Sequence, residues 1–433
     1  MGDETRRPGR GSLRALDALN LVLADVRDGL GPYLAIYLAT KHWDPARIGI
    51  AMSAMGVATV LAQTPAGAVI DRTRRKRSWM VAAAAMVAIG AIVMVRVPTL
   101  PAILGAQATI GTASAIFAPA IAAVSLGLVG HARLARRTGR NEAFNHAGNV
   151  IAAILAGLIG DYIAYEGIFY LLAGMCGLSI VAALMIRRDD IDDDLARGAG
   201  ESKPGGAVDS MHDREIDPAP KDPRIAGLGE LLRDRRIATF AGSIVLFHFA
   251  NAAMLPLVGQ KMTAGMAGGV AGYMSACIVA AQIVMVPVAL VASRLAESWG
   301  RRPTFLVGFA VLPIRGLLYT MTDDPRLLVA VQLLDGIGAG IFGVVGVLVI
   351  ADLTRGTGRF NLMQGALATA TGLGASASLF LTGEIVSHAG FNAGFLALSA
   401  IAAVALAFYG LAMPETRPGA AGPIAPELTT ARA

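Results

Sequence analysis

The chain has 433 residues, 55% of them hydrophobic and 16% charged, with a formal net charge of +6 and a mean hydropathy of +0.59. That is too much apolar sequence for an ordinary soluble globule and marks a polytopic membrane protein. Cys176 and Cys277 sit inside apolar segments and support neither a disulfide nor a metal framework. The Lys and Arg residues gather in short connections, where membrane orientation rather than nucleic-acid binding accounts for them.

Arg6, Arg7, Arg10 and Arg14 precede an apolar run over 15–39, which is too long for a signal peptide and reads as the first retained span. Asp25, Arg27 and Asp28 lie near its middle. A charge at the centre of a spanning helix costs about 2.5–3.5 kcal/mol, so such residues face a bundle interior or a wet cavity and mark a pathway. At about 100° per residue, Asp17 and Asp28 fall within about 20° of each other, with Asp25 about 80° to one side and Asn20 and Arg27 about 60–80° to the other. One Arg neutralises only one of the two Asp, which leaves the other to take up and release a proton; Asp28 is the expected carrier and Asp25 the runner-up. A structural Arg/Asp brace between helices is the competing reading.

Eleven more stretches of about 20 mostly apolar residues follow, over 47–70, 78–97, 102–127, 143–164, 168–186, 236–259, 267–293, 304–322, 327–350, 362–383 and 391–412. Residues 187–235, rich in Asp, Pro and Gly, read as a solvated, largely disordered linker. Its end, LGELLRDR, suits a short amphipathic helix on the membrane surface. The division is therefore 1–186, a six-helix bundle; 187–235, a linker; 236–412, a second bundle; and 413–433, a tail. Basic loops alternate with poor ones, which puts both termini and the linker in the cytoplasm. Trp43, Trp79 and Trp299 fall at span ends, as interfacial aromatics do.

The two halves echo each other. GAVIDRTRRKR from Gly67 matches SRLAESWGRRP from Ser293 at a shift of 226, and the same shift lays Ala24-Asp25 over Ala250-Asn251. QATIGTASAIF from Gln107 matches QLLDGIGAGIF from Gln332, and the Thr-Gly-Arg ending at Arg140 matches that ending at Arg359. Matches in chain order argue for a duplicated six-helix unit. The expected fold is all-α and integral to the membrane, twelve transmembrane helices in two pseudo-symmetric six-helix bundles, and such pairs bind substrate at their interface near the midplane.

With this span count, central linker and basic loop after the second span, the chain resembles the major facilitator superfamily of secondary transporters. The family signature there, Gly-x-x-x-Asp-Arg-x-Gly-Arg-Arg/Lys, is met by Gly67, Asp71, Arg72, Arg75 and Lys76, with Arg74 in place of the second Gly; the second half has Glu297, Gly300, Arg301 and Arg302. The resemblance implies that Gly67 lets a neighbouring helix pack closely. It also implies that Asp71 pairs with basic groups in a gating latch that holds the outward-open state. Gly148, Gly157 and Gly160 echo in part the Gly-rich fifth span of efflux members, without its usual Pro. The fourth span keeps Gln107 but has Leu104 where drug/proton antiporters carry Arg.

The resemblance further implies that the first, fourth, seventh and tenth spans line a central cavity. Candidate substrate-binding residues there are Gln107, Thr112, His248, Asn251, Gln332 and Asp335, extended by Asn145, His146, Asn149, Gln282 and Arg315. The competing reading pairs Arg315 with Asp335 as a purely structural bridge. No P-loop, dinucleotide fingerprint or zinc spacing occurs, so no enzyme chemistry, cofactor or metal is expected and transport runs on a gradient. The expected function is proton-coupled export of small organic molecules by a monomer in the plasma membrane. Alternatives are import of a metabolite or small anion, with Arg27 and Arg315 pairing the anion, or a non-transporting receptor or scaffold.

Overall fold

The computed structural model describes residues 9–24, 26, 31–193, 195–197, 233–355 and 360–417. The described residues form helices, short 3-10 turns and connections, with no strand among them. The first half holds α1 (Arg10–Leu23), α2 (Gly31–Thr40), α3 (Pro45–Arg72), α4 (Lys76–Arg96), α5 (Leu100–Val129), α6 (His131–Tyr162) and α7 (Tyr165–Met185). The second holds α8 (Arg235–Ala252), α9 (Met254–Gly265), α10 (Val270–Ser298), α11 (Arg301–Leu318), α12 (Pro325–Leu353) and α13 (Phe360–Ala412).

Several starts are set by capping. Asp44, Asp234 and Asp324 accept backbone N–H bonds from Arg47, Arg236 and Arg326 at 2.8–3.0 Å. Pro45 and Pro325 follow two of these caps, at the first helical position, where a missing N–H costs nothing. Nine stretches among the described residues are long and apolar enough to cross a membrane. The predicted first span is divided between α1 and α2, and the Asp25, Arg27 and Asp28 cluster between them lies outside the described residues. The last two predicted spans run together in α13, bent at Gly390, whose φ of 82° belongs to the left-handed region that glycine enters at little cost.

Packing repeats between the halves. In the first, α3 packs on α5, and α4 packs on α5 and α7; in the second, α10 packs on α12, and α11 on α12 and α13. Likewise α1 lies on α6 and α7, and α8 on α13. This is the pairing that the duplicated sequence requires, and it builds two pseudo-symmetric bundles. The halves are joined chiefly where α2 meets α9 and α10, α3 meets α13, and α6 meets α10. One hydrophobic core fills the first half and reaches into the second through Met254, Leu257, Met274 and Phe395. The other stays within the second half, around Phe247, Phe305, Phe309 and Tyr409.

Two connections differ from expectation. Residues 131–140 are the opening turns of α6, because Ala, Leu and Arg are good helix formers and the spacing of Arg137, Arg140 and Asn141 puts all three on one face. The beginning of the linker is also folded, as 3-10 turns at Arg188–Asp190 and Leu195–Arg197. Ser12 Oγ donates to Asp190 Oδ2 at 2.5 Å, and Asp192 N to Gly127 O at 3.0 Å, which ties this acidic stretch to the first bundle. Its negative charge is met by protein partners rather than by water alone.

Candidate functional site

The two bundles meet unequally along their length. Call the end carrying Arg72, Arg301 and the linker the linker end, and the other the far end. At the far end α3 and α13 touch through glycines: a Cβ built on Gly49 would lie 3.2 Å from Gly383 Cα, and one on Gly383 only 2.5 Å from Pro45 O. No larger side chain fits at either position without moving a backbone. Beside this contact, Tyr33 Oη lies 2.8 Å from Ser275 Oγ, which donates to Ala153 O at 2.5 Å, so α2, α6 and α10 share one buried hydrogen-bonded set. Asp161, at the end of α6, accepts from Ala271 N at 3.0 Å and Gly272 N at 2.8 Å and thereby caps α10 of the other bundle.

Toward the linker end the halves part. The last polar link between α3 and α13 is Gln63 Nε2 to Thr369 Oγ1 at 2.5 Å. Beyond it, a Cβ on Gly67 or Gly365 would meet no described atom within 4 Å. The close packing expected at Gly67 is therefore absent here, since the helices have already separated at that level. Gly67 instead lines a cavity of about 550 Å³ between α3, α5 and α13.

Met52, Met55, Thr59, Gln63, Gln107 and Ser114 supply most of the chemistry of that cavity. Gln107 is 2% exposed, yet its Oε1 has no partner among the described residues, and neither has Ser114 Oγ. An acceptor left buried and unpaired costs about 1–3 kcal/mol, which a donor on a bound molecule would recover. Thioether side chains on the opposite wall adapt to irregular apolar shapes. Met52, Met55, Thr59, Gln63 and Ser114 were missed in the sequence, because a Met, Ser or Thr inside an apolar helix carries no distinguishing signal and because the second span, which holds the first four, was not expected to line the cavity. Thr112 does not belong to this set. It lies about 140° round α5 from Gln107, is exposed, and gives its hydroxyl to Ala108 O at 2.8 Å.

Other predicted residues form a second cluster. Arg315, 1% exposed, donates through Nη1 to Asp335 Oδ1 and through Nη2 to Asn251 Oδ1 at 2.5 Å, with Met254 Sδ at 3.1 Å. Gln332 Nε2 donates to Asp335 Oδ2 at 3.0 Å, and Tyr319 Oη donates to Gln332 Oε1. Asn251, Arg315, Gln332 and Asp335 are thus brought together, with Tyr319 as the member that sequence did not suggest. The Arg315 guanidinium is fully engaged within the bundle. His248 takes no part despite sitting three residues from Asn251: its ring stands edge-on to Phe342 at 4.7 Å, and its Nε2 has no partner among the described residues. Across the bundle interface His146 Nδ1 pairs with Gln282 Oε1 at 3.2 Å. Asn145 and Asn149 are half-buried on the same helix, without a hydrogen-bond partner among the described residues.

The loop residues expected to gate are spread around the linker end. Asp71, Arg72 and Arg75 are exposed, and Lys76 is buried with its Nζ on Thr73 O at 2.9 Å. In the second half Arg301 donates to Asp352 Oδ2 at 3.1 Å and to Ala296 O at 2.8 Å, while Arg302 donates to Gly410 O. The backbone N–H groups of both converge on Glu415, at 2.9 and 3.1 Å. Burial works to raise the Glu415 carboxyl, but the N–H groups of Arg417, Arg301, Arg302 and Thr416 hold it below the ordinary carboxylate range. Glu297 is exposed, and its carbonyl receives Arg417 Nη1 at 2.8 Å. Arg301 and Arg302 therefore brace their own bundle. Asp17 is likewise committed: 5% exposed, it accepts from Arg137 and Arg140, each at 2.7 Å, and binds α1 to α6.

Three comparisons bear on this arrangement. The sequence pattern of the Major Facilitator Superfamily matches residues 18–312 and, in a second match, 263–431. Two uncharacterized MFS-type transporters of Mycobacterium tuberculosis, from strains CDC 1551 / Oshkosh and ATCC 25618 / H37Rv, are each 50% identical over 404 residues, 93% of both chains. Among solved structures, the nucleoside transporter NupG superposes with a TM-score of 0.71 at 15% identity, covering 92% of this chain and 97% of that one. A bacterial homologue of the human lysosomal transporter Spinster, inward-facing and unoccupied, gives 0.70 at 13% identity over 95% and 98%. At such identities the solved structures speak for the fold alone. The matched pattern and the 50% relatives speak for descent: this chain is a multi-pass membrane transporter and belongs to the major facilitator superfamily.

Proposed function

We propose that the chain is a secondary active transporter of the plasma membrane, not an enzyme, which exports small organic molecules in exchange for protons. Both termini and the linker face the cytoplasm. One observation carries this reading: the bundles interlock at the far end and part at the linker end around a cavity with unpaired acceptors. A substrate enters from the cytoplasm, donates a hydrogen bond to Gln107 Oε1 and lays its apolar part against Met52 and Met55. Release on the other side requires the far-end contacts at Gly49, Tyr33 and Asp161 to open while α3 and α13 close at Gly67, which is alternating access. Asp71 then latches the closed linker end. Asp28, with Asp25 as runner-up, carries the proton, and Arg27 balances the other carboxylate. Export is favoured over anion import by Arg315, which Asp335 and Asn251 already occupy and which leaves that group no anion to bind.

Purified protein in liposomes with an imposed pH gradient and a panel of candidate substrates tests the proposal. Uphill flux against the proton movement is expected, and it should vanish when Asp25 and Asp28 are both changed to Asn. Flux that survives the double change rules the carrier out. Accumulation running with the proton flow makes the protein an importer.

A further inference from the structure

A second cleft, separate from the cavity between the bundles, opens at the linker end of the first bundle. It holds about 330 Å³ between the turn joining α3 to α4 and the end of α7, and is lined by Arg74, Arg75, Lys76, Arg77 and Arg188 against a single carboxylate, Asp193. Two of the five cations are already committed. Arg77 donates to Ala183 O at 3.1 Å and Leu184 O at 2.6 Å, pinning α4 to α7. Lys76, with a side chain 1% exposed, lies 3.9 Å from Asp193. Arg74, Arg75 and Arg188 are exposed and have no carboxylate partner among the described residues. Such a concentration of like charge is unfavourable unless an anion enters it.

The surroundings say which kind of anion. Trp79, one turn into α4, and Leu184 and Met185, at the end of α7, are large exposed apolar side chains beside the cleft. Both helices are long and apolar enough to span a membrane, and in a bilayer their exposed apolar ends would meet lipid and set the cleft at the depth of the phosphate groups. A free phosphate would satisfy the arginines and ignore the apolar rim. A phospholipid satisfies both. From this juxtaposition we infer that the cleft binds the phosphate headgroup of an anionic phospholipid from the linker-side leaflet, with an acyl chain laid along Trp79 and Leu184. Because Arg75 belongs to the gating turn and Arg188 to the start of the linker, the bound headgroup ties one to the other.

The test uses the full-length protein, purified in detergent with equimolar phosphatidylglycerol and phosphatidylcholine, and counts retained lipids by native mass spectrometry. The wild type should retain phosphatidylglycerol about tenfold over phosphatidylcholine, and R74Q/R75Q/R188Q should abolish that preference. The single variant R188Q should lose part of it. R233Q/R235Q/R236Q removes equal charge from exposed positions near the start of α8 and should change nothing. A preference that survives the first triple variant, or that falls equally in the second, overturns the site. Displacement of the lipid by an equal concentration of glycerol 3-phosphate overturns the lipid as its occupant. The readout is binding rather than flux, so it stands or falls apart from the transport proposal.

Discussion

The same two helices behave differently at their two ends. At Gly49 and Gly383, α3 and α13 approach until backbone meets backbone; at Gly67 and Gly365 they face open space. The sealed end combines glycine contacts, a few hydrogen bonds such as Tyr33 to Ser275 and Asp161 to the first turn of α10, and the apolar core that crosses between the bundles through Leu257 and Met274. Each of these hydrogen bonds contributes about 1 kcal/mol, so none of them alone holds the end shut. On the transport cycle proposed above, the difference between the ends is one position of a switch rather than a permanent asymmetry.

The largest effect is expected where neither end is touched. Arg315→Met leaves Asp335 without its cation, and breaking a buried pair costs about 3–5 kcal/mol; the lower figure applies, because the Asp335 side chain is 23% exposed. Thermal unfolding of the purified variant should show that loss, with the balance between the two ends unchanged. If Arg315→Met instead shifts that balance, the pair is part of the switch.

Gly383→Leu comes next. Overpacking costs about 1–3 kcal/mol, which converts to a shift of about 5–150-fold against the sealed far end. Cross-linking of cysteines placed across the far end should fall accordingly. Gly67→Leu should act in the opposite sense, since its side chain has room here and loses it when the linker end closes. Equal effects from the two variants would contradict the comparison.

How much of this was readable beforehand follows from the physics of each residue. Most span positions and the duplication were legible because an apolar stretch of membrane length has few other uses, although nine such stretches rather than twelve stand out among the described residues; the packing of α10 on α12 repeats that of α3 on α5 as the sequence echo requires. Polar groups in apolar helices were legible as a set, and Asn251, Arg315, Gln332 and Asp335 do converge. Which glycines seal the bundles was not legible: among 51 glycines, nothing marks Gly49 or Gly383 until the helices are placed. Nor were the partners of the loop arginines. The positive-inside pattern accounts for Arg137 and Arg140 without Asp17, whose distance in sequence hides the pairing. The acidic start of the linker misled for a related reason, since charge predicts solvation only where no partner such as Ser12 is near.

Smaller effects sharpen the contrast further. Asp161→Ala removes the cap on α10, worth about 0.5–2 kcal/mol, and should loosen the far end several-fold while leaving global stability almost unaltered, as hydrogen exchange at Ala271 and Gly272 would report. The smallest belongs to the linker end. Glu415 has a folded-state pKa below its ordinary 4.5, so its contribution is present above that value and is lost as pH falls through the folded value. A spin label on the tail should become mobile on acidification in the wild type, whereas Glu415→Gln should be mobile already at neutral pH. A label equally immobile in both would show that Glu415 does not hold the tail.

The central claim, that the two ends exchange places under proton control, is tested most directly by measuring two distances in one sample series. Spin-label pairs at Asp44 and Ser387 for the far end, and at Ser78 and Ser298 for the linker end, would be followed in bilayers at high and low pH. The account predicts a short far-end and long linker-end distance in one condition, the reverse in the other, and no response after Asp25→Asn with Asp28→Asn. Two distances that ignore pH, or that lengthen and shorten together, would contradict it.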